Sequence, residues 1–301
     1  MRGIWQDIRY SARMLWKHRL ASLICTAALA LGIGANTAMF SVAEAFLLHP
    51  VPFDHADRIV VLSDSRPQQG IDRNSIAPAT YLEWQSQAKS FEQLGAYEYD
   101  EVNLTGDHEP QKIEGIHVSA NFFDMLDVRP QLGRSFLSEE EKPGRDLEII
   151  LGHGLWEQRY ASDPNIVGKT VKVNGKSFTV VGVMRAGMDF PRPSDAWIPL
   201  SLDAKERSDR NSRHLWVLGK LQPHVSVTEA SAEMTAIAQR QADSYPESYK
   251  GWRLRVMPIA EFASGNLTRQ YTFLLLGAVG FVLLIACADV ANVQFALFGV
   301  P

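Results

Sequence analysis

The chain has 301 residues, 46% of them hydrophobic, with a net charge of −4 and a pI near 6.1. That balance excludes a general nucleic-acid function, because such proteins carry a basic excess that neutralises phosphates; no nucleic-acid partner is expected. The mean hydropathy of −0.11 is that of a soluble protein only because two apolar ends average out against a polar middle, and the two cysteines, Cys25 and Cys287, lie in those ends. The middle therefore has neither disulfide nor thiol chemistry.

In residues 1–19, Ile4, Trp5, Ile8, Ala12, Leu15 and Trp16 fall on one helical face, and Arg9, Arg13 and Lys17 toward the other. This spacing predicts a cytoplasmic amphipathic helix lying along a membrane surface. From Leu20 to Leu48 there is no Lys, Arg or Asp and a single acid, Glu44. A run of that length predicts a transmembrane helix over 20–48. Ala30, Gly34 and Ala38 repeat at four-residue intervals, as do Ala28 and Gly32, which gives two small-residue seams for close helix packing. Arg2, Arg9, Arg13, Lys17 and Arg19 precede the run against one acid, Asp7, so the positive-inside rule places the N-terminus in the cytoplasm. Ala43-Glu44-Ala45 imitates a signal-peptidase site, but the apolar run is longer than a signal peptide's core.

The polar middle, residues 49–270, mixes strand and helix signals. Ile59 to Leu62 reads as a strand followed by a loop from Asp64 to Asn74. Helical spacing covers Thr80 to Ala88, and strand patterns cover Gly95 to Leu104 and Lys112 to Val118. Ser119 is positioned to cap a short helix through Leu126, and Pro130, Gly133, Pro143 and Gly144 mark a loop-rich section. Leu147 to Leu151 reads as a buried strand and Leu155 to Tyr160 as a short helix. Asn174-Gly175, between Val171 to Val173 and Phe178 to Val183, predicts a hairpin with a type I′ turn. After a charged loop, Asp203 to Arg213, come a strand over Leu215 to Leu221, a capping box at Ser226-Val227-Thr228-Glu229 opening a helix to about Tyr245, and a strand over Leu254 to Met257. These elements suggest two subdomains. One is a discontinuous α/β part of about 55–118 plus 214–262, and the other an inserted β-rich part of about 119–213. Tyr271 to Ala288 is apolar and uncharged, predicting a second transmembrane helix over 271–293 with a tail at 294–301; a buried core helix is the alternative reading.

No constellation demands catalysis. Gly168-Lys169-Thr170 resembles the end of a phosphate-binding loop, but Asp163 stands where that loop needs glycine and a strand follows, so a turn feeding the hairpin is the reading. His153 and Glu157 share a helical face without a second histidine at ligand spacing, which leaves His153 a structural role near Trp156. His108, His117, His214 and His224 are scattered singly and are expected to form no constellation, and no serine occupies a nucleophile elbow. Trp84, Phe91, Phe122, Phe123, Trp156 and Trp197 are read as core, with the lining of a ligand pocket as the alternative. Asn103-Leu104-Thr105 and Asn266-Leu267-Thr268 fit glycosylation acceptors, relevant only in a eukaryotic secretory pathway. The expectation is a protein that is not an enzyme, with no catalytic, cofactor-binding or metal residue and no cofactor.

Several stretches, in order along the chain, resemble the MacB/FtsX-like ABC permeases, especially the long duplicated permeases common in acidobacteria. They are Asp7-Ile8-Arg9-Tyr10, Leu29-Ala30-Leu31-Gly32-Ile33-Gly34-Ala35-Asn36, Val118-Ser119-Ala120-Asn121-Phe122-Phe123, His153-Gly154-Leu155-Trp156, Val180-Val181-Gly182-Val183-Met184 and Leu284-Ile285-Ala286-Cys287. The resemblance implies an α+β fold in which two transmembrane helices flank a MacB-like periplasmic core domain, in the bacterial inner membrane. It implies a permease fragment driven by a cytoplasmic ABC ATPase on a separate chain and serving efflux or envelope processes. The remaining permease helices or a second permease copy, a periplasmic adaptor, an outer-membrane channel and membrane lipid are the implied partners. It also implies further spans beyond Val293, so that 294–301 reads as a truncated tail. The alternative is a membrane-tethered periplasmic sensor or ligand-binding module, which genomic context separates: an adjacent ATPase favours transport, a kinase or regulator favours sensing.

Overall fold

A computed structural model describes residue 16 and residues 19–47, 51–53, 55–106, 109–264 and 266–298. The chain divides into two compact units, one from the two ends of the sequence and one spanning Val51–Ala263. The expected amphipathic helix over 1–19 lies outside the described residues, apart from Trp16 and Arg19.

The first unit is a pair of long helices, α1 (Arg19–Leu47) and α8 (Asn266–Phe298). Within them Ser22–Ser41 and Tyr271–Asn292 are long and apolar enough to cross a membrane, and each is almost wholly uncovered by protein. In water such a surface would be untenable; in hydrocarbon it is the ordinary outer face of a membrane helix. The helices run antiparallel and meet along one stripe each. On α8 the stripe includes Thr272 and Ala286, both less than a tenth exposed. On α1 it is centred on Gly32, where an added Cβ would sit 3.1 Å from Leu283 Cδ1 and 3.7 Å from Ala286 Cβ. Of the two small-residue seams, the one through Gly32 is the seam in use. Ala30, Gly34 and Ala38 are exposed, and Gly34 has no neighbour for a Cβ.

The second unit is built on one eleven-stranded sheet. Its strands are β1 (Ile59–Arg66), β2 (Ile71–Asn74), β3 (Phe91–Thr105), β4 (Gln111–Val118), β5 (Leu132–Gly133), β6 (Glu148–Leu151), β7 (Thr170–Val173), β8 (Lys176–Val183), β9 (Ala196–Pro199), β10 (Trp216–Leu221) and β11 (Arg253–Pro258). The spatial order is β11-β1-β10-β3-β4-β9-β6-β8-β5, with β2 on β1 and β7 bridging β3 and β8. Pairing is antiparallel except for β4–β9 and β6–β8. The helices are α2 (Pro78–Gln87), α3 (Phe122–Met125), α4 (His153–Tyr160), α5 (Val227–Ser244), α6 (Pro246–Tyr249) and α7 (Ile259–Ser264).

The continuous apolar run of β1 arises because both faces are covered. Ile59 and Val61 enter one core with Tyr97, Phe122, Phe123 and Trp197, while Val60 and Leu62 enter a second with Trp84, Met234 and Ile237. A third core gathers Val102, Leu104, Ile149, Leu155 and Phe178. The fifteen residues of β3 reach all three, pairing with β10 through Phe91–Tyr97, with β4 through Tyr97–Leu104 and with β7 at Leu104 and Thr105.

Local signals hold where they are strong. Ser226 Oγ accepts from Glu229 N at 3.2 Å and Glu229 Oε2 accepts from Ser226 N at 2.8 Å, which starts α5. Asn174 and Gly175 take φ of 49° and 78°, as a type I′ turn requires. Two expectations are corrected. Asp64 to Asn74 is not a loop: β1 continues to Arg66 and β2 folds back on it, paired at Asp64↔Asn74 and Arg66↔Ile71. Nor does Ser119 cap α3. Its Oγ accepts from Ala96 N and donates to Asn121 Oδ1, fastening β3 rather than the helix start.

Candidate functional site

Three polar assemblies and a set of open cavities stand out from the apolar cores. The first ties α2 to α5. Glu83 on α2 pairs with Arg210, and Gln241 on α5 donates to the same carboxylate while accepting from Trp84 Nε1 at 3.0 Å. Thr80 shares a 2.8 Å hydrogen bond with the Tyr249 hydroxyl, and Arg210 lies over the Tyr245 ring, 3.7 Å from its centroid. Burial would raise the Glu83 carboxyl, but Arg210 and Gln241 hold it below its usual value.

The second is a buried ion pair, Asp64 on β1 with Arg213, at 2.8 Å with side chains 7% and 8% exposed. The Arg213 guanidinium also donates to Ser248 O, Arg66 donates to Lys250 O, and both lie over the Trp252 ring, so the segment between α6 and β11 is clamped onto β1 by two arginines. Desolvation pushes the Asp64 carboxyl up despite the pairing with Arg213.

The third corrects the expectation of scattered histidines. The β3–β4 register sets Glu98 opposite His117, and the residue before the Ile76↔Leu215 bridge, His214, arrives from the other side. His117 Nε2 lies 3.2 Å from Asp100 Oδ2 and His214 Nε2 lies 3.8 Å from Glu98 Oε2. Desolvation raises the Glu98 carboxyl; His214 and His117 oppose that rise, and Asp100 and Glu206 add to it. No sequence pattern could have found this cluster, because it depends on strand register and on a return of the chain from more than a hundred residues away.

The other singled-out residues keep local roles. His153 Nδ1 lies 2.9 Å from Gln131 Nε2, and its ring is 5.6 Å from that of Trp156, while Glu157 faces outward on α4. Gly168 adopts a φ of 86° in the turn before β7, and Lys169 pairs with Asp163. His224 occupies a left-handed turn position, and His108 lies outside the described residues. Trp84, Phe91, Phe122, Phe123 and Trp197 are buried, whereas Trp156 is half-buried with Nε1 donating to Asp163 O. Among the described residues no group of three or more His, Cys, Asp and Glu is arranged to hold a metal ion.

The cavities are open clefts. One of about 720 Å³ lies over β7 and the end of α4, lined by Arg159, Lys169, Lys172 and Asp163 among others; one of about 550 Å³ lies beside Arg210 and Tyr245. In the helix pair, the Asn36 side chain donates to Gly32 O at 2.9 Å and across to Val279 O at 3.2 Å. These arrangements pin elements to one another. None places a nucleophile, a base and an oxyanion donor around one point.

Comparison with known proteins points the same way. The profile of the MacB-like periplasmic core domain matches residues 22–237. Among solved structures, a domain of a permease protein from Porphyromonas gingivalis superposes with a TM-score of 0.54 at 14% identity, covering 69% of this chain and 93% of that one. The periplasmic region of MacB from Actinobacillus actinomycetemcomitans gives a TM-score of 0.54 at 13% identity, covering 71% and 92%. At these identities the likeness concerns the fold alone. A search of curated proteins finds no match.

Proposed function

The chain belongs to the MacB-like periplasmic core domain family of ABC transporter permeases, and from that premise we propose that it is a permease component whose periplasmic domain couples ATP-driven motion of the membrane helices to efflux or to an envelope process. The observation that carries this reading is the sequence order: one apolar, protein-uncovered helix, itself inside the family match, before the folded unit Val51–Ala263 and another after it. ATP hydrolysis then belongs to a cytoplasmic ABC ATPase on a separate chain. The remaining permease helices or a second permease copy complete the membrane part, and a periplasmic adaptor with an outer-membrane channel would carry an efflux substrate onward. The N-terminus is assigned to the cytoplasm and the domain to the periplasm of the inner membrane, on the basic excess before Leu20.

A division into a discontinuous part, about 55–118 plus 214–262, and an inserted part, about 119–213, would suit this role. One apolar core draws on residues 60–96 and 200–237 and another on residues 102–198, and β3 contributes to both.

Purification of the full chain from detergent-solubilised native membranes tests the coupling. Vanadate-sensitive ATP hydrolysis that co-purifies with it is the expected result. A preparation without ATPase activity but with phosphotransfer from ATP to a histidine kinase or regulator would replace transport by sensing.

A further inference from the structure

Asp289 and Asn292 are polar residues at the C-terminal end of the apolar span Tyr271–Asn292, and the packing of the helix pair fixes how deep they lie. Asn36 on α1 reaches Val279 O on α8, and Gly32 abuts Leu283 and Ala286. Because the helices are antiparallel, Asp289 comes level with Thr26–Leu29 of α1. The apolar span of α1 begins at Ser22. At 1.5 Å per residue, Asp289 sits about 6–10 Å inside that end of the α1 span and about 4–5 Å inside the end of the α8 span at Asn292.

Both side chains are exposed, on a flank of α8 that α1 does not cover, in line with the exposed Val282 and Ile285. Among the described residues neither has a hydrogen-bond or ion-pair partner. The nearest cation along α1, Arg19, is more than a turn further out and is engaged with Trp16, over whose ring it lies at 4.7 Å and to whose carbonyl it donates. Neither Leu20–Leu47 nor Gln270–Phe298 contains a lysine or arginine, so a second copy of this pair offers no cation at that depth. An ionisable group facing hydrocarbon is costly and calls for a partner that neutralises it.

We propose that Asp289, with Asn292 one turn on, is the docking point for a further membrane helix that presents a lysine or arginine side chain at this depth. The proposal rests on the membrane-spanning reading of α1 and α8 and adds to it the site and the charge of the contact. The carboxylate supplies the ion pair, and the Asn292 amide supplies a hydrogen bond that fixes the approach along α8.

The test uses the full chain, labelled with a donor fluorophore and reconstituted in phosphatidylcholine vesicles. It is titrated with an acceptor-labelled polyleucine transmembrane peptide carrying one arginine placed about 7 Å inside its end, and with an all-leucine control. The arginine peptide is expected to associate at least about tenfold more tightly. Asp289→Leu, which suits a lipid-facing position, should reduce it to the control, and Asn292→Leu should weaken it by less. Equal association of the two peptides, or an arginine preference that survives Asp289→Leu, overturns the proposal. So does an Asp289-dependent association between copies of the chain without the peptide. Carbonate extraction of the same vesicles separates the two levels: release of the chain means the membrane-spanning reading has failed, whereas a retained chain without arginine preference means that only the docking site has.

Discussion

Asp64 and Arg213 are 149 residues apart in sequence, yet they form the most buried ion pair among the described residues. Desolvation of two charges offsets much of their attraction, and the upward shift of the Asp64 carboxyl has that cause. The pair therefore contributes less as a bond than it would cost if broken. Asp64→Ala is expected to destabilise the domain by about 3–5 kcal/mol, because Arg213 is left buried without its counter-ion. Asp64→Leu with Arg213→Leu should lose much less, as chemical denaturation of the two variants would show. At Glu98 the shift has the same direction but no buried cation depends on the carboxylate. Its carboxyl is raised above the ordinary 4.5, first by desolvation. A group raised on folding contributes stability at low pH that is lost as pH climbs through the folded value. Thermal unfolding of Glu98→Gln should therefore match the wild type near pH 4 and exceed it by about 1–2 °C at pH 7. An unchanged difference across that range would remove Glu98 from the account. Neither assembly was legible in the sequence: an isolated Asp, Arg or His carries no mark of a partner that only strand pairing brings near.

Among the elements, legibility followed how local the cause is. The Asn174-Gly175 hairpin and the Ser226 capping box are specified within four residues, and both form where expected. β2 and β9 are specified by their neighbours instead. Ile71–Asn74 is mostly exposed and is a strand only because β1 pairs with it. Ala196–Pro199 is four residues long and ends in proline, yet lies buried between β4 and β6. The long helices show a related limit. Two small-residue seams were visible on α1, and periodicity gave no ground for choosing between them. Contact with Leu283 selects Gly32. Gly32→Leu is expected to push α1 and α8 apart and Gly34→Leu to leave their spacing unchanged, as spin labels on the two helices would report. Asn36→Leu should weaken the pair by about 1 kcal/mol through loss of the hydrogen bond to Val279 O.

For the molecule as a whole, the apolar ends and polar middle already implied a membrane protein with a large inserted domain. The motif order implied the family, and the match over residues 22–237 establishes it. A sequence cannot display the continuity of one sheet through all three cores, because β3 makes its connections at positions far apart in the chain. The central claim is topological: both ends of the domain enter the membrane and the domain lies on the side opposite the N-terminus. The direct measurement is cysteine accessibility in spheroplasts, with Cys25 and Cys287 replaced by alanine. A cysteine placed at the exposed Lys142 should react with a membrane-impermeant maleimide, and one at Arg2 should react only after the membrane is opened. Protection of the cysteine at position 142, or equal labelling of the two, would contradict the account.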